Sequence, residues 1–368
     1  MDIEVLEKDT ENVVRAAALG AVVGWTIGLS QESRGLLTPL RFFDPVPVRM
    51  AVSPVLDAWI VLSRMVRHET PTHLVAAQYL DTWRYPAGAA GFGLANLGRG
   101  VPPPLSGSLD NPLSEDAGAL GRAAFWGLAF HGEPSQAVSA ALYDASFDHD
   151  RDGIWAAAAV AWVVAQTSSS VDFRSKVATL ADILPPESEI VGALSTVLNW
   201  LGQPDGFVHG SNALKGLNQA AATFCASILA SGGDDFGACV GAAATTSGHR
   251  PTAGLVAGVL AGLRFAQVPT DWSDPLGTGY IAGSGLRLID PPQTIDDFTE
   301  MVVGAHAHLC PPALTAAEEP IPAPSEVTEA DPAPTPTPAP EPPRLDPEVA
   351  RRLRSTSPTC LARLEGID

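Results

Sequence analysis

The chain has 368 residues, of which 46% are hydrophobic and 17% charged; this is enough apolar material for one large core or two small ones, and too much for a wholly disordered chain. Its 41 acidic side chains outnumber 22 lysines and arginines, a formal charge of −19, so the surface repels phosphate backbones and anionic lipid, and neither nucleic acid nor a membrane is an expected partner. Cys225, Cys239, Cys310 and Cys360 are far apart with no C-x-x-C pair, which predicts reduced thiols in the cytoplasm, no disulfide framework and no zinc site.

The first apolar stretch, residues 16–29, follows Asp2, Glu4, Glu7 and Asp9 rather than a basic segment. It is too short to span a bilayer and lacks the character of a signal peptide. Apolar residues recur at spacings of three and four over 13–29, 55–66, 120–130, 154–164, 190–201 and 214–229, the mark of helices with one buried face. Start signals agree: Glu133-Pro134 puts proline in a first turn, and Thr294 precedes Asp296 and Asp297, placing acids at the positive end of a helix. Strand-like alternation is scarce. Alanine and glycine occupy several faces at 156–159, 220–222 and 253–262, and small residues let helix axes approach closely. The prediction is an all-α, compact multi-helix domain over residues 1–312.

Beyond it the composition changes. Twelve of the 33 prolines lie between Pro311 and Pro343, with six acids and no base. Residues 313–344 therefore read as a disordered, extended proline-rich acidic linker. In 345–368, Asp346 and Pro347 can start a short helix carrying Val349, Leu353 and three arginines, suited to docking a protein partner or else a frayed tail.

The most informative stretch runs from Leu94 to Trp155. It holds Asn96 before Gly100-Val-Pro-Pro-Pro, then Asn111-Pro112, Gly118-Ala-Leu-Gly-Arg122-Ala-Ala124-Phe-Trp126-Gly127 and Asp144-Ala-Ser146-Phe-Asp-His149-Asp-Arg-Asp152-Gly153. Further on come His209-Gly-Ser-Asn212-Ala, Gly233-Asp-Asp-Phe236 and Gly254-Leu-Val-Ala-Gly258. Near the start, Gly20, Gly24 and Gly28 precede Glu32. In this order the motifs resemble the ADP-ribosylglycohydrolase superfamily, its bacterial branch in particular, over about residues 13–275. The resemblance implies an all-α fold and hydrolysis of glycosidic bonds to ADP-ribose, with two Mg²⁺ ions that fix ribose hydroxyls and a water. Mg²⁺ needs oxygen ligands. The family supplies them from an Asp-Asp cluster opening an early helix and an Asp-x-Asp-Thr opening a late one.

Here both clusters depart from that pattern. The early segment, Ser53-Pro-Val-Leu-Asp57, keeps one carboxylate. The late segment aligns without a gap over 236–262 and sets His249, Arg250, Pro251 and Thr252 against Asp-x-Asp-Thr. Ala124 stands where the family has Asp, and Asp152 where it has Asn. The expected metal set is thus none. Asp57, His149, Asp152 and His249 are the acid/base candidates; Arg122, His209, Asn212 and Arg250 are the ligand-binding candidates. For each a plainer role stands alongside: Asp57 as a helix first-turn residue, His149 in a solvated acidic turn, His209 with Asn212 as a satisfied buried pair. Arg250 is expected to replace the cations by pairing with Asp57 or Asp152, against the alternative of a solvent-facing arginine. Three functions remain open: a protein that binds a small-molecule or modified-protein ligand without hydrolysing it, an enzyme using the pocket for metal-free chemistry, and a Mg²⁺-dependent ADP-ribosyl hydrolase in a shifted register.

Overall fold

Helix-forming periodicity becomes a stack of helices in the computed structural model, which describes residues 3–34, 53–84, 86, 88–168, 172–246, 248–276, 286–287 and 290–311. The segments 313–344 and 345–368 lie outside the described residues. Every regular element described is helical, apart from an isolated bridge between Trp83 and Leu286.

Two helices make the frame. Ile3–Arg34 runs antiparallel to Arg250–Phe265, and their contact is the most extensive in the molecule. Glycines make it possible: Gly20 faces Gly258 and Gly24 faces Gly254, each so close that a Cβ would run into the opposite backbone carbonyl. The helix pairs Gly118–Ala129 with Asp152–Gln166, and Pro134–Ala145 with Asp152–Gln166, pack beside this frame. Trp59, Phe125 and Phe298 join the Pro54–Arg67, Gly118–Ala129 and Ile295–Leu309 helices, with the Trp59 ring stacked on Phe298 at 6.0 Å and edge-on to Phe125 at 5.8 Å.

The expected helices at 55–66, 120–130, 154–164 and 190–201 appear as Pro54–Arg67, Gly118–Ala129, Asp152–Gln166 and Glu189–Trp200. Thr294 and Asp297 form a reciprocal capping box that opens Ile295–Leu309. Two readings need correction. The 214–229 segment is not one helix: the chain turns through Gly216 at φ +99°, and Asn218 then caps Gln219–Ala230 through a bond from Ala221 N. The first apolar run is also longer than read. Thr10–Glu32 is long and apolar enough to cross a membrane by length and composition, and 72% of that window is buried inside the protein.

Candidate functional site

Arg122 is the centre of a fully buried polar network. Its Nε donates to Asp144 Oδ1 at 2.8 Å and one terminal nitrogen donates to Asp148 Oδ1 at 2.7 Å. The guanidinium lies over the Phe147 ring at 5.0 Å. Asp144 also accepts from Trp126 Nε1 at 2.9 Å. Two helices and a turn contribute, so the network locks Gly118–Ala129, Pro134–Ala145 and the turn before Asp152–Gln166 together. Burial works against the charged guanidinium, but Asp144 and Asp148 hold its pKa well above the ordinary arginine value.

His149 carries the network outward. Its Nδ1 donates to Asp148 Oδ1 at 2.6 Å and its Nε2 to Asp116 Oδ1 at 2.9 Å. Burial opposes protonation of the ring, yet the two carboxylates outweigh it and push its pKa up to about 9. It is therefore an imidazolium at neutral pH, with both nitrogens engaged, and cannot act as a base there. Asp116 is the outer end, with its side chain 14% exposed. Its carboxylate also accepts from Gly118 N at 2.7 Å and Ala89 N at 2.9 Å. Burial raises its pKa, but His149 and these amides bring it down to about 2. The group presented at this edge is thus a fixed carboxylate, able to accept hydrogen bonds and poor at taking a proton.

His249 faces the same region from the Arg250–Phe265 helix. It is the N-cap: Thr252 N donates to its Nδ1 at 3.4 Å, and Thr252 Oγ1 lies 2.8 Å from that nitrogen. Its own N–H donates to Thr223 Oγ1 at 3.0 Å, and its ring lies 6.2 Å from that of Trp25. Burial keeps the imidazole neutral, although Glu32 and Asp116 are near enough to pull the other way. Pro251 sits in the first turn, where its missing N–H leaves no bond unmade.

The other residues singled out in the sequence are elsewhere. Asp152 accepts from Ser188 Oγ at 2.6 Å and Asn218 Nδ2 at 3.0 Å, tying its helix to the starts of Glu189–Trp200 and Gln219–Ala230. Asp57 is buried at the fourth position of Pro54–Arg67. His209 is exposed and stacks on Trp200 at 4.9 Å, and Asn212 is exposed on the same short helix, so they are not a buried pair. The expected pairing of Arg250 with Asp57 or Asp152 is not found. Arg250 Nε donates to Thr246 O at 3.1 Å and Nη1 to Gln31 O at 3.0 Å, which fastens one frame helix to the other.

The model of the ADP-ribosylglycohydrolase family matches residues 6–305. The chain belongs to that family. No curated protein matches the chain. Within this ADP-ribosylglycohydrolase fold, the motif reading found Arg122 and His149 but not Asp116, which completes their network. An acid 33 positions from its partner in an irregular loop leaves no periodic signal; the only hint was Asp116 two residues before a helix-opening Gly118.

The network gives this family member a distinctive pH dependence. His149 has its folded pKa raised from 6.5 to about 9. The unfolded chain therefore binds fewer protons between these values, and the stability His149 contributes is complete below 6.5 and lost as pH rises through about 9. His131 and His306, held below 6.5 chiefly by burial, act with opposite sign and weaken the fold as pH falls below that value. Denaturation midpoints measured in steps above pH 6.5 should decline, and His149→Gln should remove that decline while leaving the acid limb. A flat profile in the parent protein would contradict the buried imidazolium.

Proposed function

We propose that the chain keeps its family's pocket as a ligand-binding site and does not perform Mg²⁺-dependent hydrolysis of ADP-ribosyl bonds. The observation that carries this reading is the mouth of the Arg250–Phe265 helix. Where the family supplies two carboxylates and a threonine, this chain has an imidazole folded onto its own helix N–H, a guanidinium, a proline, and a Thr252 hydroxyl engaged by His249. The Ser53 hydroxyl, at the start of the early helix, accepts from Leu56 N at 3.1 Å. Mg²⁺ asks for near-octahedral oxygen ligation, and no group of three or more His, Cys, Asp or Glu suited to a metal occurs among the described residues. The residues do not fit the ion pair.

What they offer instead is hydrogen bonding. Asp116 presents a fixed acceptor for a ligand hydroxyl. Trp25 Nε1, buried with no hydrogen-bond partner among the described residues, is a free donor on the ring that packs beside His249. A hydroxyl-rich ligand of the ADP-ribosyl class suits that pair. Calorimetric titration of the full chain with ADP-ribose should give equal affinity in Mg²⁺ and in chelator. Asp116→Asn should weaken binding about tenfold, the value of one hydrogen bond to a charged group. Mg²⁺-stimulated release of ADP-ribose from a glycosidic substrate, or a melting temperature raised by Mg²⁺ alone, would overturn the proposal.

A further inference from the structure

We propose that a cleft at the opposite end of the Arg250–Phe265 helix is a second binding site, for a small dianion of the phosphate-monoester class. The helix has 16 residues, so its two ends are roughly 24 Å apart, and the proposal does not depend on the ligand reading of the His249 end. The cleft has a volume of about 390 Å³, and Phe173, Arg174, Gly202, Gly232 and Arg264 line it.

Two arginines line it. Acids outnumber bases 41 to 22 in this chain; Arg15, Arg122 and Arg151 each meet a carboxylate, whereas Arg250 is taken up by backbone carbonyls. Arg174 and Arg264, which share this cleft, form no ion pair among the described residues. Asp172 also lines it, but its Oδ1 accepts from Arg174 N at 3.1 Å as the cap of the short Phe173–Ala178 helix.

Both guanidinium groups are held in place. Arg264 lies over the rings of Phe173 at 5.4 Å and Phe265 at 5.0 Å; its Nη1 donates to the carbonyls of Ser231 and, at 3.3 Å, Gly233. Arg174 Nη1 donates to Leu201 O at 3.4 Å. The two carbonyls held by Arg264 flank Gly232, where a Cβ would come within 2.7 Å of Gly202 N. Gly202 itself has φ +72°. Only glycines allow these two loops to cross here, and their crossing leaves backbone rather than side chains at the wall. Arg264 also hydrogen-bonds the Cys239 thiol; two guanidinium groups with no carboxylate partner among the described residues match the charge and the several oxygens of a phosphate monoester better than the single charge of a carboxylate.

The test is calorimetric titration of the full chain with inorganic phosphate, and with acetate as the singly charged comparison. Phosphate should bind saturably, more tightly than acetate, and more weakly as salt is raised. Arg174→Gln changes an exposed side chain and should fold normally, yet bind phosphate about tenfold more weakly. Arg264→Lys, which keeps the charge but not the fork, should also weaken binding. No saturable heat with phosphate, or equal affinity in Arg174→Gln and the parent, would overturn the site.

Discussion

Replacing Arg122 with methionine is expected to remove about 3–5 kcal/mol of folding stability, the range for breaking a buried ion pair from one side. The side chain is almost wholly buried and bridges Asp144 and Asp148, which are equally buried. Without it, Asp144 keeps Trp126 Nε1 and a long bond from Tyr79 at 3.4 Å, and burial already pushes its pKa up even with the arginine present. Asp148 keeps only His149, and its second oxygen has no hydrogen-bond partner among the described residues. Neither carboxylate can reach water, so at least one must take up a proton, and stability becomes steeply dependent on pH. Arg122→Lys should recover only part of the loss, because a point donor cannot span two carboxylates as a planar fork does. Adding Asp144→Asn to the methionine variant should restore part of the stability, since the two residues share one network. Urea unfolding of the four proteins measures these differences. A loss under about 1 kcal/mol in Arg122→Met would show that the network is not what holds these helices together.

The sequence made the helical frame legible because each signal was local: three-and-four apolar spacing, a proline at a helix start, a threonine three residues before an aspartate. It also made Arg122 and His149 legible, because their motifs are contiguous. What it hid depended on distant chain segments meeting. Asp116 joins His149 across an irregular loop, and Asp152, a motif residue, turns instead to Ser188 and Asn218. Arg250 exposes the weakness of reasoning from charge alone. A guanidinium beside lost metal ligands invites pairing with a carboxylate, but backbone carbonyls are commoner partners for side-chain donors. Thr246 O and Gln31 O take that role. His209 and Asn212 show a different limit. A motif specifies residue types in order, whereas whether a short helix turns them inward depends on the packing of its neighbours, here Trp200, on which His209 stacks at the surface.

Gly24→Ala is expected to cost about 3 kcal/mol or more, the upper end of what overpacking does. Glycine in a helix interior is ordinarily a liability of about 0.5–1 kcal/mol relative to alanine, so the same substitution should be favourable wherever there is room. Gly304, exposed within Ile295–Leu309, has nothing within 4 Å of an added Cβ, and Gly304→Ala should stabilise by about that amount. At Gly24 the sign reverses because the obstacle is backbone: the methyl would enter the Gly254 carbonyl. A side chain can swing aside, but a carbonyl inside a helix moves only with its helix. The two frame helices must then separate, and with them Trp25 and Glu32 on one side part from His249 and Thr252 on the other. Gly254→Ala should have the same effect, since its Cβ would enter the Gly24 carbonyl. Denaturation midpoints for Gly24→Ala, Gly254→Ala and Gly304→Ala decide the matter. If Gly24→Ala unfolds at the parent midpoint, the helices can part at little cost, and the close glycine crossing is not what fixes the distance between the two walls of the site.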